Sequence, residues 1–211
     1  MTLFVTFEGG EGCGKSTQAK SLYRRMSRLG IPVVLSHEPG GTPLGKQIRH
    51  CLKQTRETEI SPLAELFLFT ASRAQLVVKV IRPNLEKGII VICDRYFDST
   101  VAYQGYGRGL DLNFIQVINA SATQGLLPEL VILLDIPVEI GLARKRSVRQ
   151  DRFEREEIAF HQWVREGYLK MAKAEPERWL VVDATLPKKE VEQIIWERVK
   201  KLLQKGGCLK M

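Results

Sequence analysis

The chain has 211 residues, room for one domain of ordinary size or at most two small ones. Hydrophobic residues make up 44% and charged residues 27%, which excludes a disordered chain, a collagen and a coiled coil. Lysine and arginine total 32 against 24 acidic residues, a formal net charge of +8 that points to an anionic partner: nucleotide, nucleic acid or membrane surface.

No run reaches 18 apolar residues, so no transmembrane segment is expected. The N-terminus shows no basic stretch followed by an apolar run and a cleavage site, so no signal peptide is expected. The four cysteines (Cys13, Cys51, Cys93 and Cys208) form no C-x-x-C pair. They read as reduced thiols of a cytoplasmic protein rather than a disulfide framework.

In chain order, residues 3–7 are a short apolar, β-branched and aromatic run that predicts a strand. Glycines follow, then an amphipathic helix over 15–29 closed by Gly30. Residues 31–35 predict a second strand, and the stretch 38–43, rich in glycine and proline, a loop. Pro43 opens a helix to about Lys53. The longest helical pattern spans 62–86, with Leu63, Leu66, Phe67, Thr70, Ala74, Val77, Val78 and Ile81 as its apolar stripe. Pro83 should weaken or break it near its end. Residues 89–93 and 130–134 are uninterrupted apolar runs, as in strands buried on both faces. A shorter strand is expected at 179–182. Helical patterns fall near 112–123, 138–146, 154–174 and 188–204. Strands alternating with helices give an α/β fold, a five-stranded parallel sheet flanked by helices on both faces. With no linker or repeat visible, residues 1–211 read as a single domain.

The run Gly9-Gly10-Glu11-Gly12-Cys13-Gly14-Lys15-Ser16 fits G-x-x-x-x-G-K-[ST], with a strand before and a helix after. Such glycines let successive backbone N–H groups surround phosphate oxygens, and the helix N-terminus adds its positive end. Lys15 is expected at the β- and γ-phosphates of a nucleoside triphosphate, and the Ser16 hydroxyl at Mg²⁺. Cys13 reads as a small filler residue. The third strand runs into Asp94-Arg95-Tyr96, where ligands of parallel sheets collect. There Asp94 can hold Mg²⁺ or orient an attacking group, and Arg95 can clamp a phosphate. If residues 97–104 are helical, Ser99 shares a face with Tyr103, and Thr100 with Gln104.

The string 94–105, D-R-Y-x-x-S-T-x-A-Y-Q-G, resembles that of the thymidylate kinase family, and the likeness covers nearly the whole chain. F-E-G-x-E-G-x-G-K-S-T at 7–17, E-P-G-G-T-P at 38–43, S-R-A-Q at 72–75, G-R-G-L-D at 107–111 and D-R-F-E at 151–154 also carry it. The resemblance implies a P-loop nucleotide-kinase fold, the reaction ATP + dTMP → ADP + dTDP with Mg²⁺, and a homodimer. It implies that Gly9 to Thr17 hold ATP, with Glu11 near the reacting phosphates. It implies that Phe69 stacks on thymine and Arg73 bonds its edge. Ser99, Thr100 and Gln104 fall where the family contacts the nucleotide, and Tyr103 where a ring crowds the sugar 2′ position. Arg95 falls on the acceptor-phosphate clamp, Asp94 on the metal-positioning carboxylate, and Glu38 in the loop over the acceptor phosphate. His37 stands where the family often has arginine.

Residues 144–155 carry six basic side chains against Asp151 and Glu154. Composition alone reads this as a solvated face or a nonspecific nucleic-acid patch. Its position matches the lid of related kinases, where cations closing over the phosphates stabilise the charge of phosphoryl transfer. The phosphate loop holds no arginine, so the resemblance puts this chain with the lid-arginine group. Arg149 and Arg152 are the candidates for catalytic contacts and Arg144 for adenine. Two alternatives stay open: a kinase for another (deoxy)nucleoside monophosphate, and a P-loop nucleic-acid-binding ATPase. The second lacks a basic stripe interleaved with aromatics. No membrane-binding motif is visible.

Overall fold

The structure is a computed structural model that describes residues 3–54, 59–145 and 152–206. Five strands form one parallel sheet: β1 (Phe4–Glu8), β2 (Val33–His37), β3 (Ile90–Asp94), β4 (Leu130–Asp135) and β5 (Trp179–Asp183), in the order β2-β3-β1-β4-β5. The α/β expectation holds, and β2 starts two residues later than its apolar run. Phe7 and His37 both register with Asp94, so the carboxyl ends of β1, β2 and β3 lie at one level. The chain leaves the β1–β3 side for β4 across β1, and a crevice at such a reversal is the usual ligand site of an open parallel sheet.

Nine α-helices cover the sheet among the described residues: α1 (Lys15–Arg28), α2 (Pro43–Lys53), α3 (Pro62–Leu76), α4 (Arg82–Glu86), α5 (Phe97–Thr100), α6 (Leu112–Thr123), α7 (Val138–Ala143), α8 (Ile158–Ala174) and α9 (Lys188–Lys205). Local chemistry sets several starts. The Thr42 hydroxyl accepts from Gly45 N at 3.0 Å, and the Asp111 carboxylate from Phe114 N at 2.7 Å. Gly30, at φ 71°, closes α1, and Ile31 N returns to Met26 O.

Pro83 weakens the 62–86 helix near its end, as expected, without ending it. The chain widens into a π-helical turn over Val77–Ile81 just before it and continues as α4. Proline lacks the N–H for the i−4 bond and crowds that carbonyl, and a wider turn accommodates both. A second π turn, Val101–Gly107, extends α5.

The strands alternate as their period requires. Val5 and Phe7 join a core with Met26, Trp196 and Val199 under α1 and α9. Phe4 packs on the opposite face with Leu76, Ile81 and Tyr96. Glu8, in phase with Phe4, projects to that second face, where it is fully buried. Each fully buried large apolar side chain stabilises the fold by about 1.5–3 kcal/mol.

Candidate active site

The crevice at the carboxyl ends of the strands holds a cavity of 620 Å³. Its walls include Glu11, Gly12, Gly14, Lys15, Ser16 and Thr17 from the phosphate loop and α1. Glu38 comes from the loop after β2, Phe69 from α3, and Asp94, Arg95, Ser99, Thr100, Tyr103 and Gln104 from the end of β3 and the turns beyond. Arg144 follows α7 and also lines it. One space therefore joins the phosphate loop to the string after β3.

The phosphate loop is shaped by close backbone approach. Gly12 takes φ 68°, and a Cβ there would lie 1.9 Å from Gly141 O of α7. A Cβ on Gly141 would lie 2.4 Å from Glu11 O. Lys15 is buried and its Nζ donates to Gly9 O at 3.0 Å, Gly10 O at 2.6 Å and Cys13 Sγ at 3.3 Å. The first turn of α1 carries no acidic side chain of its own. Gly9, Gly10 and Cys13 shape the loop without lining the cavity.

Arg95 ties this loop to the acceptor side. Its Nη1 donates to Gly9 O at 3.1 Å, Ser99 Oγ at 3.0 Å and Tyr168 OH at 3.2 Å. Its Nη2 donates to Glu11 Oε1 at 2.8 Å and Tyr103 OH at 2.9 Å. The backbone of Arg95 sits at φ 72°, a left-handed conformation that costs a side-chain-bearing residue about 1–3 kcal/mol and persists only where its surroundings fix it. Burial works to raise the Glu11 pKa, but the Arg95 and Lys15 charges and the Tyr103 hydroxyl outweigh it and hold it at about 2. Beneath this cluster Glu8 accepts from Tyr96 N at 2.7 Å, Ser99 Oγ at 2.6 Å and Tyr168 OH at 2.8 Å. Burial, reinforced by Asp98, pushes its pKa up to about 7 against the pull of Arg95.

Ser16 Oγ donates to Asp94 Oδ2, so the two residues expected at a metal meet at the cavity wall. Asp135, the carboxylate that ends β4, is taken up by Arg165 at 2.7 and 2.8 Å. An oxygen-only pair beside a phosphate loop fits Mg²⁺, which keeps most of its shell as water and phosphate oxygens.

Three expectations change. Arg73 is only 1% exposed and does not line the cavity. Its Nε donates to Glu38 Oε2 at 2.8 Å, Nη1 to Asn119 Oδ1 at 2.9 Å and Nη2 to Tyr96 O at 3.3 Å. The apolar stripe of 62–86 is also rotated from the expected one. Leu66, Val77 and Ile81 are buried as expected, but Leu63, Phe67 and Val78 are exposed, and Glu65, Ser72, Arg73 and Leu76 are buried beside the first three. Arg152 likewise lies off the cavity: it donates to Leu52 O at 3.2 Å and to Glu65 Oε2, with its guanidinium over Phe153. Those bonds hold the end of the basic run to α2 and α3 rather than to the phosphate loop. Arg149 lies outside the described residues. Arg144 donates to Ala184 O at 3.2 Å from the cavity wall.

Sequence reading missed Glu8, Tyr168, Glu65, Arg49 and Gly141. Glu8 could have been noticed as an acid closing an apolar strand. Tyr168 stands 160 residues from its partner Glu8 and carried no local signal. Arg49 lines the cavity beside His37 and donates to Pro39 O at 3.0 Å, so a guanidinium reaches this loop although position 37 lacks one. Burial and the nearby Arg49 charge lower the His37 pKa.

A parallel sheet of this order, with a glycine loop cradling a lysine after β1 and an Asp-Arg pair after β3, defines a P-loop kinase. The comparisons narrow the class. The family model described as thymidylate kinase matches residues 7–195. A thymidylate kinase of Dehalococcoides mccartyi is 55% identical over 204 residues, covering 97% of this chain and 99% of its own. One of Thermomicrobium roseum is 48% identical, covering 98% of each chain. The crystal structure of thymidylate kinase from Ehrlichia chaffeensis superposes with a TM-score of 0.77 at 33% identity, over 94% of this chain and 98% of that one. The chain belongs to the thymidylate kinase family.

Proposed function

We propose that this chain transfers the γ-phosphoryl group of ATP to dTMP, giving dTDP and ADP, as a step of dTTP synthesis. The observation that carries the reading is Arg95, whose one guanidinium bonds both the phosphate loop and the Ser99–Tyr103 face inside one cavity. A donor triphosphate on the loop and an acceptor monophosphate on Arg95 would then meet in line.

In this reading the loop N–H groups, Lys15 and the α1 N-terminus hold the ATP phosphates, with Arg144 toward adenine. Arg95, Glu38 and Arg49 surround the acceptor phosphate. Phe69 stacks on thymine, with Gln104 and Thr100 on the side of its edge, and Tyr103 crowds the 2′ position against a ribonucleotide. Phosphoryl transfer asks little covalent work of the protein, so positioning and positive charge carry the catalysis. No strong general base is required, because the acceptor phosphate is already an anion at neutral pH. Glu11 holds Arg95 in place through their ion pair. Ser16 and Asp94 would hold Mg²⁺, which would supply positive charge against the phosphate oxygens. Residues 144–155 act as a lid within a single kinase domain and exclude water.

The protein is proposed to work in the cytoplasm, on small molecules. No helix among the described residues is long and apolar enough to cross a membrane. Leu63 and Phe67 of α3, Val78 of the π turn that follows it, and Phe114 and Val117 of α6 leave an exposed apolar face, proposed as the contact of a homodimer.

The test is coupled ADP release with ATP and Mg²⁺ against dTMP, dUMP, UMP, CMP, AMP, thymidine and no acceptor. Strong turnover on dTMP and little on UMP is expected. Turnover independent of acceptor would overturn the reading in favour of an ATPase.

A further inference from the structure

Glu65 lies on α3 with its side chain wholly removed from solvent. Arg108 reaches it at 3.3 and 3.4 Å, and Arg152 donates to its Oε2. Into this charged cluster Gln104 directs its amide: Gln104 Nε2 donates to Glu65 Oε1 at 2.7 Å. Gln104 also lines the cavity, as do Thr100 and Phe69, the walls that would take the base.

A glutamine amide is nearly symmetric in shape, and its hydrogen-bond partners decide which end is oxygen. A carboxylate only accepts. Glu65 therefore takes the NH₂ end of Gln104 and leaves the carbonyl Oε1 for the cavity. The reverse orientation would set a carbonyl against a carboxylate in a buried place, with no proton between them. The neighbouring Thr100 is 1% exposed and its hydroxyl has no partner among the described residues. A hydroxyl can donate or accept, so it does not choose between ligands. Gln104, held one way round, does.

We infer that Glu65 is a specificity-positioning residue, which locks the Gln104 amide so that the site accepts a pyrimidine carrying an N3–H and rejects one with a bare N3. Thymine and uracil present a donor at N3. Cytosine and 5-methylcytosine present a lone pair there, which would face the Gln104 oxygen. A site built around a buried polar partner discriminates strongly against an analogue that leaves it unpaired. The inference rests on the dTMP reading and adds how the base is told apart from its amino counterpart.

The test compares dTMP with 5-methyl-dCMP, which keeps the methyl group, sugar and phosphate. Wild-type enzyme is expected to favour dTMP by about 10²–10⁴ in kcat/KM. Its calorimetric Kd for 5-methyl-dCMP should be weaker in the same sense. In Glu65→Gln either end of the Gln104 amide finds a partner, and the preference should fall about tenfold or more. Arg108 keeps Glu156 as a partner in this variant, at 2.5 Å, and the double variant Glu65→Gln/Arg108→Gln, which removes one positive charge along with the negative one, should show the same fall. Glu65→Asp keeps an acceptor-only group and should restore the preference even at a lower rate. A purely structural role would slow both substrates together. The inference is overturned if wild type binds the two nucleotides equally, or if the ratio is unchanged in the variants while dTMP is still phosphorylated. If wild type transfers nothing to dTMP, the functional reading falls and this inference with it.

Discussion

Arg95 and Glu11 form an ion pair of 2.8 Å that joins the end of β3 to the phosphate loop. The pair connects the two halves of the cavity, and Tyr103 OH closes the triangle by donating to Glu11 Oε1 at 2.7 Å. Arg95→Met removes a charge from a site that also holds Glu8 and Glu11, and leaves both carboxylates without it. A fall in kcat/KM for dTMP of about 10²–10³ is expected in coupled ADP release. Arg95→Lys should recover little, since one ammonium cannot span the partners of a planar fork.

Stability should depend on pH through two buried carboxyls. Glu8 and Glu38 are both raised to about 7 by burial, against the pull of Arg95 and Arg73 respectively. Their folded pKa exceeds the ordinary carboxylate value, so the folded protein binds more protons between about 4.5 and 7. That contribution is fully present below pH 4.5 and is lost as pH rises through 7, with a slope of at most about 1.4 kcal/mol per pH unit for each group. Glu11 acts in the opposite sense: its pairing stabilises above about 4.5 and fades as pH falls toward 2. Urea titrations from pH 3 to 9 should show both limbs, and Glu8→Gln should flatten the slope between 4.5 and 7.

Gly141→Ala places a methyl group 2.4 Å from Glu11 O, against backbone rather than a movable side-chain tip. The phosphate loop must shift away from α7. We expect a loss of about 1–3 kcal/mol in denaturant stability and a raised KM for ATP, with KM for dTMP changing less.

Arg73→Met should unfold the protein more readily than it should alter base preference. The change strips Glu38 of its buried partner and Asn119 of a donor. Removing one member of a buried ion pair costs about 3–5 kcal/mol, readable as a lowered urea midpoint. An intact midpoint with a selective rise in KM for dTMP would instead place the guanidinium on the base.

Val117 is 64% exposed on α6 in line with Phe114, on the face proposed to meet a second copy. Val117→Glu should convert the proposed dimer to a monomer by light scattering at micromolar concentration. An oligomeric state unchanged by the substitution would place the interface elsewhere.

Much of the architecture was legible from local pattern. The apolar runs at 89–93 and 130–134 read as strands covered on both faces, and β3 and β4 are so. The glycine-rich run after β1 announced its loop, because each glycine there answers a short-range need. The helix over 62–86 was legible in extent but not in facing. Its expected stripe counted apolar residues, whereas the buried side carries Glu65, Ser72 and Arg73. Polar groups go inside when distant chain supplies their partners, as Asn119 and Gln104 do here, and no local window contains those partners.

The sequence by itself determined which residues make strands and helices, where the phosphate loop lies, and which short string follows β3. Those are short-range matters of periodicity, glycine geometry and proline. Tertiary structure alone decided that Glu8 sits beneath Arg95, that Arg73 lies behind the cavity rather than on its wall, and that Glu65 faces Gln104. Each depends on the sheet order and on the facing of α3 and α8. Burial of a charged group is settled only when the fold brings its counter-charge or donor within about 3 Å, the reach of a hydrogen bond.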